Sequence, residues 1–195
     1  MKNVLLLLAP AFEDVEAACA LDACSWSRYR DGLEPIDVHV AAFGEGATGR
    51  FGTAYPADIA VGDACADGYD GLIIPGGFRP DFDVVYCEDV YRLVRAFHAQ
   101  GKPIATMCVG SIVAARAGVL SGGRATTYAF SRHDNFGMLE ECGCAAAHDP
   151  VVDCDGIISC AGPRYSEDAM ELFLARLLGA DQTAQLARYR RGIDR

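Results

Sequence analysis

The stretch "PIATMCVGSIVAARAG" (103–118) decides the fold class. Residues 103–107 are a short, mainly apolar run opened by proline, which predicts a strand buried on both faces. From Ser111 to Ala117 the pattern is helical, and Gly118 follows as the residue that ends it. Only Cys108, Val109 and Gly110 separate the two, so the chain turns sharply from strand to helix. Thr106 and Gly110 stand two positions either side of Cys108. That spacing, small–x–nucleophile–x–small, is the nucleophile elbow pattern with cysteine in place of serine. Such a turn lifts the thiol above the sheet edge and sets it at the positive end of a helix, which favours thiolate. Moving a thiol from a pKa of ~8.5 to ~6 takes about 3.4 kcal/mol. A helix terminus supplies only ~0.3–2 kcal/mol, so an activated Cys108 needs a second donor. The residues alone also admit the plain alternative, a small hydrophobe packed behind a strand.

Outward from this turn, the same alternation recurs. "VLLLL" (4–8), "IDVHVAAF" (36–43) and "GLIIP" (71–75) read as further strands, the first and third nearly continuous in apolar character. Helices are predicted over Asp14–Tyr29, with acids in the first turn, and around Val90, Leu93, Val94 and Phe97, which share one face and stop at Gly101. Ser166 is placed to cap a helix that runs to Leu178 and ends at Gly179. Residues 49–59 suggest an irregular hairpin, and "VVDCDGIISC" (151–160) a regular one turning at Cys154–Gly156. The pattern implies an α/β fold: a doubly wound, mostly parallel sheet with helices on both faces and ligands beyond the strand C-termini.

Three strand ends would then share one crevice. After "IIPGGF" (73–78), the N–H of Gly77 could join that of Val109 in an oxyanion hole; a tight strand-to-helix turn is the bland reading. "PAFEDVEAA" (10–18) brings Glu13 and Glu16, which spacing alone cannot separate from ordinary helix-start acids.

The 195 residues suit one compact domain, taken as 1–180, followed by a C-terminal helix and basic tail over 181–195. Seventeen basic against 27 acidic side chains give a net charge of −10, which repels nucleic acid and anionic membrane. "RYRRGIDR" (188–195), the densest basic stretch, reads as a solvated tail. The apolar run Val4–Leu8 is too short for the core of a signal peptide, and no run is long enough to span a bilayer. Nine cysteines in a chain of this size are expected as reduced thiols, hence a cytoplasmic protein. Cys142, Cys144 and His148 match no common zinc spacing, so neither a metal nor a cofactor is expected.

The segments "AFEDVEAA" (11–18), "LIIPGG" (72–77) and "KPIATMCVGSIVAARAGVLSGGRATTY" (102–128) together resemble the ThiJ/PfpI superfamily, over Lys2 to about Leu178. It includes the Parkinsonism-associated protein deglycase, archaeal intracellular peptidase-like proteins and isonitrile hydratases. The resemblance implies a flavodoxin-like fold of the class I glutamine amidotransferase-like type, assembled as a homodimer. It implies that Cys108 is the reactive cysteine, that Glu16 hydrogen-bonds it, and that Gly77 is the oxyanion-hole glycine. Such an acid would be the missing second donor.

The departures narrow the activity. Peptidase-like members carry His after the cysteine, where this chain has Val109. Others carry His after two threonines, where it has Tyr128. The His–Pro–Glu run of glutamine amidotransferases is absent from "CAGPRYSED" (160–168). Peptidase and amidotransferase activities are therefore disfavoured, since each needs a base at the leaving group. The isonitrile hydratase branch prefers Asp where this chain has Glu16. The expected function is a cysteine-nucleophile hydrolase or lyase, glyoxalase- or deglycase-like, acting on a small electrophilic substrate such as an α-oxoaldehyde. The alternatives are a redox-sensing or chaperone-like stress protein using an oxidisable Cys108, and a binding module that does not catalyse. Gly76, Arg79, Tyr128, Arg132 and His133 are candidates for the pocket wall.

Overall fold

Five consecutive apolar residues, Val4–Leu8, make up most of strand β1 (Lys2–Leu8), and none is more than 1% exposed. Successive side chains on a strand point to opposite faces. Leu5 and Leu7 accordingly enter one core and Val4, Leu6 and Leu8 the other. Covering both faces is what makes the run unbroken rather than alternating.

The structure is a computed structural model and describes residues 1–193. After β1 come α1 (Asp14–Ser25), β2 (Ile36–Ala42), β3 (Gly46–Thr48), β4 (Ala54–Pro56), β5 (Ile59–Ala60) and β6 (Gly71–Ile74). Then follow α2 (Glu88–Ala99), β7 (Ile104–Met107), α3 (Gly110–Arg116), β8 (Arg124–Ala125), α4 (Asn135–Glu141) and β9 (Ala145–Ala146). The hairpin β10 (Val151–Cys154) and β11 (Ile157–Cys160) leads into α5 (Ser166–Leu178) and α6 (Ala180–Arg190).

The central sheet has the order β10-β11-β7-β6-β1-β2-β5, parallel except for β10 against β11. The order reverses between β1 and β6, and a doubly wound sheet opens its crevice at such a switch point. Helices α2, α3 and α4 bury one face through residues such as Val90, Val94, Phe97, Ile112 and Leu139. On the other face lie α1, α5 and α6, with Ala17, Ala20, Met170, Phe173 and Leu186. No helix among the described residues is long and apolar enough to cross a membrane.

Four expectations need correction. The first helix ends at Ser25, and Trp26–Tyr29 continue it as a 3-10 turn. The irregular hairpin pairs Gly46–Thr48 with Ala54–Pro56, starting before residue 49. Its tip is clasped by Asp14, whose carboxylate accepts the N–H groups of Phe51 (2.9 Å) and Thr53 (3.0 Å). Burial would raise the Asp14 pKa, but these bonds outweigh it and hold the carboxyl below its ordinary value. Ser166 does not cap α5: a 3-10 turn over Pro163–Tyr165 precedes the helix, and the Ser166 hydroxyl is buried without a partner. The basic tail is not simply solvated either. Arg190, its side chain only 9% exposed, lies between Asp22 (3.1 Å) and Glu167 (3.5 Å), because α6 packs on α5 and on the 3-10 turn that follows α1. Asp194 and Arg195 lie outside the described residues.

Candidate active site

Strands β7, β6 and β1 are neighbours, so the segments leaving their C-terminal ends meet over one crevice. Cys108 follows β7 at φ 53°, a left-handed conformation that costs a non-glycine residue about 1–3 kcal/mol unless its surroundings enforce it. Here they do. The Cys108 N–H donates to the carbonyl of Cys160 (2.9 Å), and the hydroxyls of Ser111 and Thr127 both donate to the Cys108 carbonyl at 3.0 Å. Backbone crowding completes the elbow. A Cβ on Gly110 would stand 2.5 Å from the carbonyl oxygen of Ile74, and one on Gly76 would stand 2.6 Å from the Cβ of Cys108. Gly110→Ala must push α3 off the end of β6, and overpacking of this kind costs about 1–3 kcal/mol. Urea unfolding should register that loss; unchanged stability would refute the close-packed elbow.

The first loop is stitched to the second. Glu13 donates its N–H to the Gly76 carbonyl and Phe78 donates to that of Ala11, both at 2.9 Å, flanking an antiparallel bridge between Phe12 and Gly77. In such a pair the central residues turn their own N–H groups outward. That of Gly77 therefore faces away from the first loop.

Glu16 lies under the elbow with no exposed surface. Its Oε2 accepts the Gly76 N–H at 2.7 Å, while its Oε1 is buried without a hydrogen-bond partner. Burial pushes its pKa up to about 8 against the pull of that N–H, so the carboxyl is largely protonated at pH 7. The hydrogen bond to Cys108 implied by the resemblance is not formed in this geometry. The two groups are coupled through charge instead.

The expectation of a favoured thiolate is reversed. Cys108 is only 8% exposed, and burial pushes its thiol well above the ordinary value. An ionised Glu16 pushes it further, and the Val109 N–H pulls it back. Helix α3 is seven residues long, and its terminus does not offset that burial. At neutral pH the resting site is a thiol above a protonated acid, and the pair titrates together.

Cys108 opens on a cavity of about 360 Å³. Among the candidate residues, Gly77, Arg79, Val109, Tyr128, Arg132 and His133 line it. Gly76 lies beneath the sulfur instead. Arg79 is bound to Asp83 at 2.7 Å, which neutralises its charge locally. His133 is exposed and packs its ring on Phe130 (centroids 5.7 Å apart). Glu13, nearly buried and with its pKa raised by burial, also reaches this wall. Sequence reasoning missed Phe78, Phe130, Asn135 and Pro163 as wall residues. Phe78, Phe130 and Pro163 come from aperiodic segments and Asn135 stands at the very start of α4, so none carries a spacing signal. A more open hollow of about 610 Å³ lies across segment 129–136, and Cys108 does not line it. Among the described residues no three His, Cys, Asp or Glu side chains converge as a metal site. His148 is instead stacked on Phe136, with ring centroids 4.5 Å apart.

A cysteine elbow over a buried glutamate, on a doubly wound sheet, defines a class. The family model described as "DJ-1/PfpI family" matches residues 2–176, and the chain belongs to that family. Deglycase PfpI of Pyrococcus furiosus is 33% identical over 133 residues, covering 68% of this chain and 75% of the relative. General stress protein 18 of Bacillus subtilis is 28% identical over 155 residues, covering 78% of this chain and 84% of the relative. Among solved structures, DJ-1beta of Drosophila melanogaster superposes with a TM-score of 0.81 at 24% identity, covering 97% of both chains, a likeness of fold.

Proposed function

We propose that this chain is a cysteine-dependent, deglycase-like enzyme whose substrate is a small α-oxoaldehyde or an adduct of one. The carrying observation is the φ 53° Cys108, opening on a cavity that Gly77 and Val109 also line, with the proton-holding Glu16 beneath. A relative named as a deglycase, 33% identical, supports the same reading. The sulfur adds to the aldehyde carbon, forming a C–S bond while the carbonyl π pair moves onto oxygen. The Gly77 and Val109 N–H groups face that developing charge. Glu16, ionised in a fraction of molecules below pH 8, takes the thiol proton and returns it to the oxygen. A proton shift from the aldehyde carbon to its neighbour then gives a thioester of the hydroxy acid. Water cleaves the thioester and restores the thiol, for net addition of one water.

An aldehyde suits this site because the addition expels no poor leaving group. With Val109 and Tyr128 at two positions where relatives carry His, an amide's leaving amine has no imidazole to protonate it. Burial of the sulfur also speaks against the redox-sensor alternative, which needs an exposed, ionised thiol. The decisive experiment incubates the purified chain with methylglyoxal and follows loss of the dicarbonyl and appearance of lactate. Consumption no faster than with an equal concentration of free thiol would overturn the proposal.

Homodimer formation belongs to the same proposal. Phe51 is 73% exposed and packs edge-on against the cavity residue Phe78 at 5.6 Å, leaving apolar surface uncovered beside the site. Light scattering is expected to report twice the 20.8 kDa chain mass. A monomer would remove this part. The nine free thiols fit a reducing, cytoplasmic setting.

A further inference from the structure

The Cys108 carbonyl is unusually well served. It accepts two side-chain hydroxyls, Ser111 Oγ from the first turn of α3 and Thr127 Oγ1 from the segment after β8, each at 3.0 Å. Both donors have no exposed surface, so no water competes for their protons. Both residues follow Cys108 in the chain, Ser111 by three positions and Thr127 by nineteen. Thr127 also sits just before Tyr128, which lines the cavity.

A trans peptide unit is planar, with its carbonyl and its N–H pointing in opposite directions. The carbonyl of Cys108 and the N–H of Val109 belong to the same plane. Fixing the oxygen on the interior side therefore fixes the hydrogen on the cavity side. That N–H is the backbone donor that steadies the sulfur's anion. Hydrogen bonds to a carbonyl also polarise its peptide unit and strengthen the donor at the other end, by about 10–30% per bond. The strained φ of Cys108 makes such restraint necessary, because a relaxed peptide plane would swing the N–H out of line.

We propose that Thr127 and Ser111 are positioning residues whose buried hydroxyls, by holding the Cys108 carbonyl, aim the Val109 N–H at the reacting sulfur and at the oxyanion. The oxyanion half rests on the carbonyl-addition reading given above; the sulfur half does not. The other groups bearing on Cys108 are Glu13 and Glu16 at the start of α1 and Cys160 at the end of β11, with Arg79, Arg132 and His133 on the cavity wall. All of them are unchanged in the variants below.

Thr127→Val keeps the shape and removes the hydroxyl, and the carbonyl retains Ser111. Thr127→Ser restores the donor without the methyl group. The rate of Cys108 alkylation by iodoacetamide is measured against pH for the three proteins, alongside kcat and KM for methylglyoxal. A neutral hydrogen bond of this kind is worth about a threefold to tenfold change. Thr127→Val should slow alkylation by that factor, move its pH profile upward by about half to one unit, and lower kcat with KM held. Thr127→Ser should return all three. Ser111→Ala, removing the other donor, should act in the same direction, and it carries the test if Thr127→Val fails to fold. An unmoved alkylation profile in the folded variants, or a Thr127→Ser protein as slow as Thr127→Val, overturns the proposal. A wild type that leaves methylglyoxal intact refutes the carbonyl chemistry alone, and the alkylation series still decides the role of the hydroxyls.

Discussion

Cys108→Ser is expected to lower methylglyoxal turnover by at least about a thousandfold while leaving the fold intact. The alcohol is a far weaker nucleophile than a thiol, and nothing at this site is built to ionise it. Glu16 titrates near 8, closer to a thiol than to a serine hydroxyl. The substitution removes little volume, and the new hydroxyl meets the same Val109 N–H that faces the sulfur. Stability should change by about 1 kcal/mol or less. Turnover by the folded variant at the wild-type rate would place the chemistry elsewhere in the cavity.

Glu16→Gln is expected to have the second largest effect, with two separate readings. General acid–base assistance is typically worth about 10²–10⁴ in rate, and the amide neither takes nor returns a proton. Turnover should fall by that range, and the rise of the wild-type rate toward pH 8 should vanish. The second reading is thermodynamic. In the unfolded chain Glu16 ionises near 4.5, and in the native protein near 8. Between these values the native state holds a proton that the unfolded state has lost, so stability falls as pH rises through this window and levels above it. Glu16→Gln should flatten that slope in urea melts at pH 5, 6, 7 and 8. A wild type equally stable across the window would refute the buried, protonated carboxyl.

Much of the architecture was legible because its signals are local and periodic. The unbroken Val4–Leu8 run announced a strand covered on both faces, and Val90, Leu93, Val94 and Phe97 announced the buried face of α2. The elbow was legible too, since Thr106 and Gly110 around Cys108 are the small residues a strained turn requires. What escaped depends on distant parts of the chain. Nothing near "CVGS" reveals that the sulfur is roofed over, which decides the direction of its pKa. Asn135 and Pro163 reach the cavity only after α4 and the turn before α5 are placed. Arg190 looked like part of a wet tail because its partner Asp22 is 168 positions away.

The elbow has one more property, which concerns time. Its restraints come from chain made after the turn: Ser111 adjoins it, but Thr127 and Cys160 follow much later. A nascent chain leaves the ribosome amino end first. Until the β10–β11 hairpin has emerged and docked beside β7, Cys108 has no carbonyl to hold its amide and no reason to stay bent. The nucleophile is thus assembled among the last features of the molecule, and a prematurely ended chain carries an ordinary cysteine there.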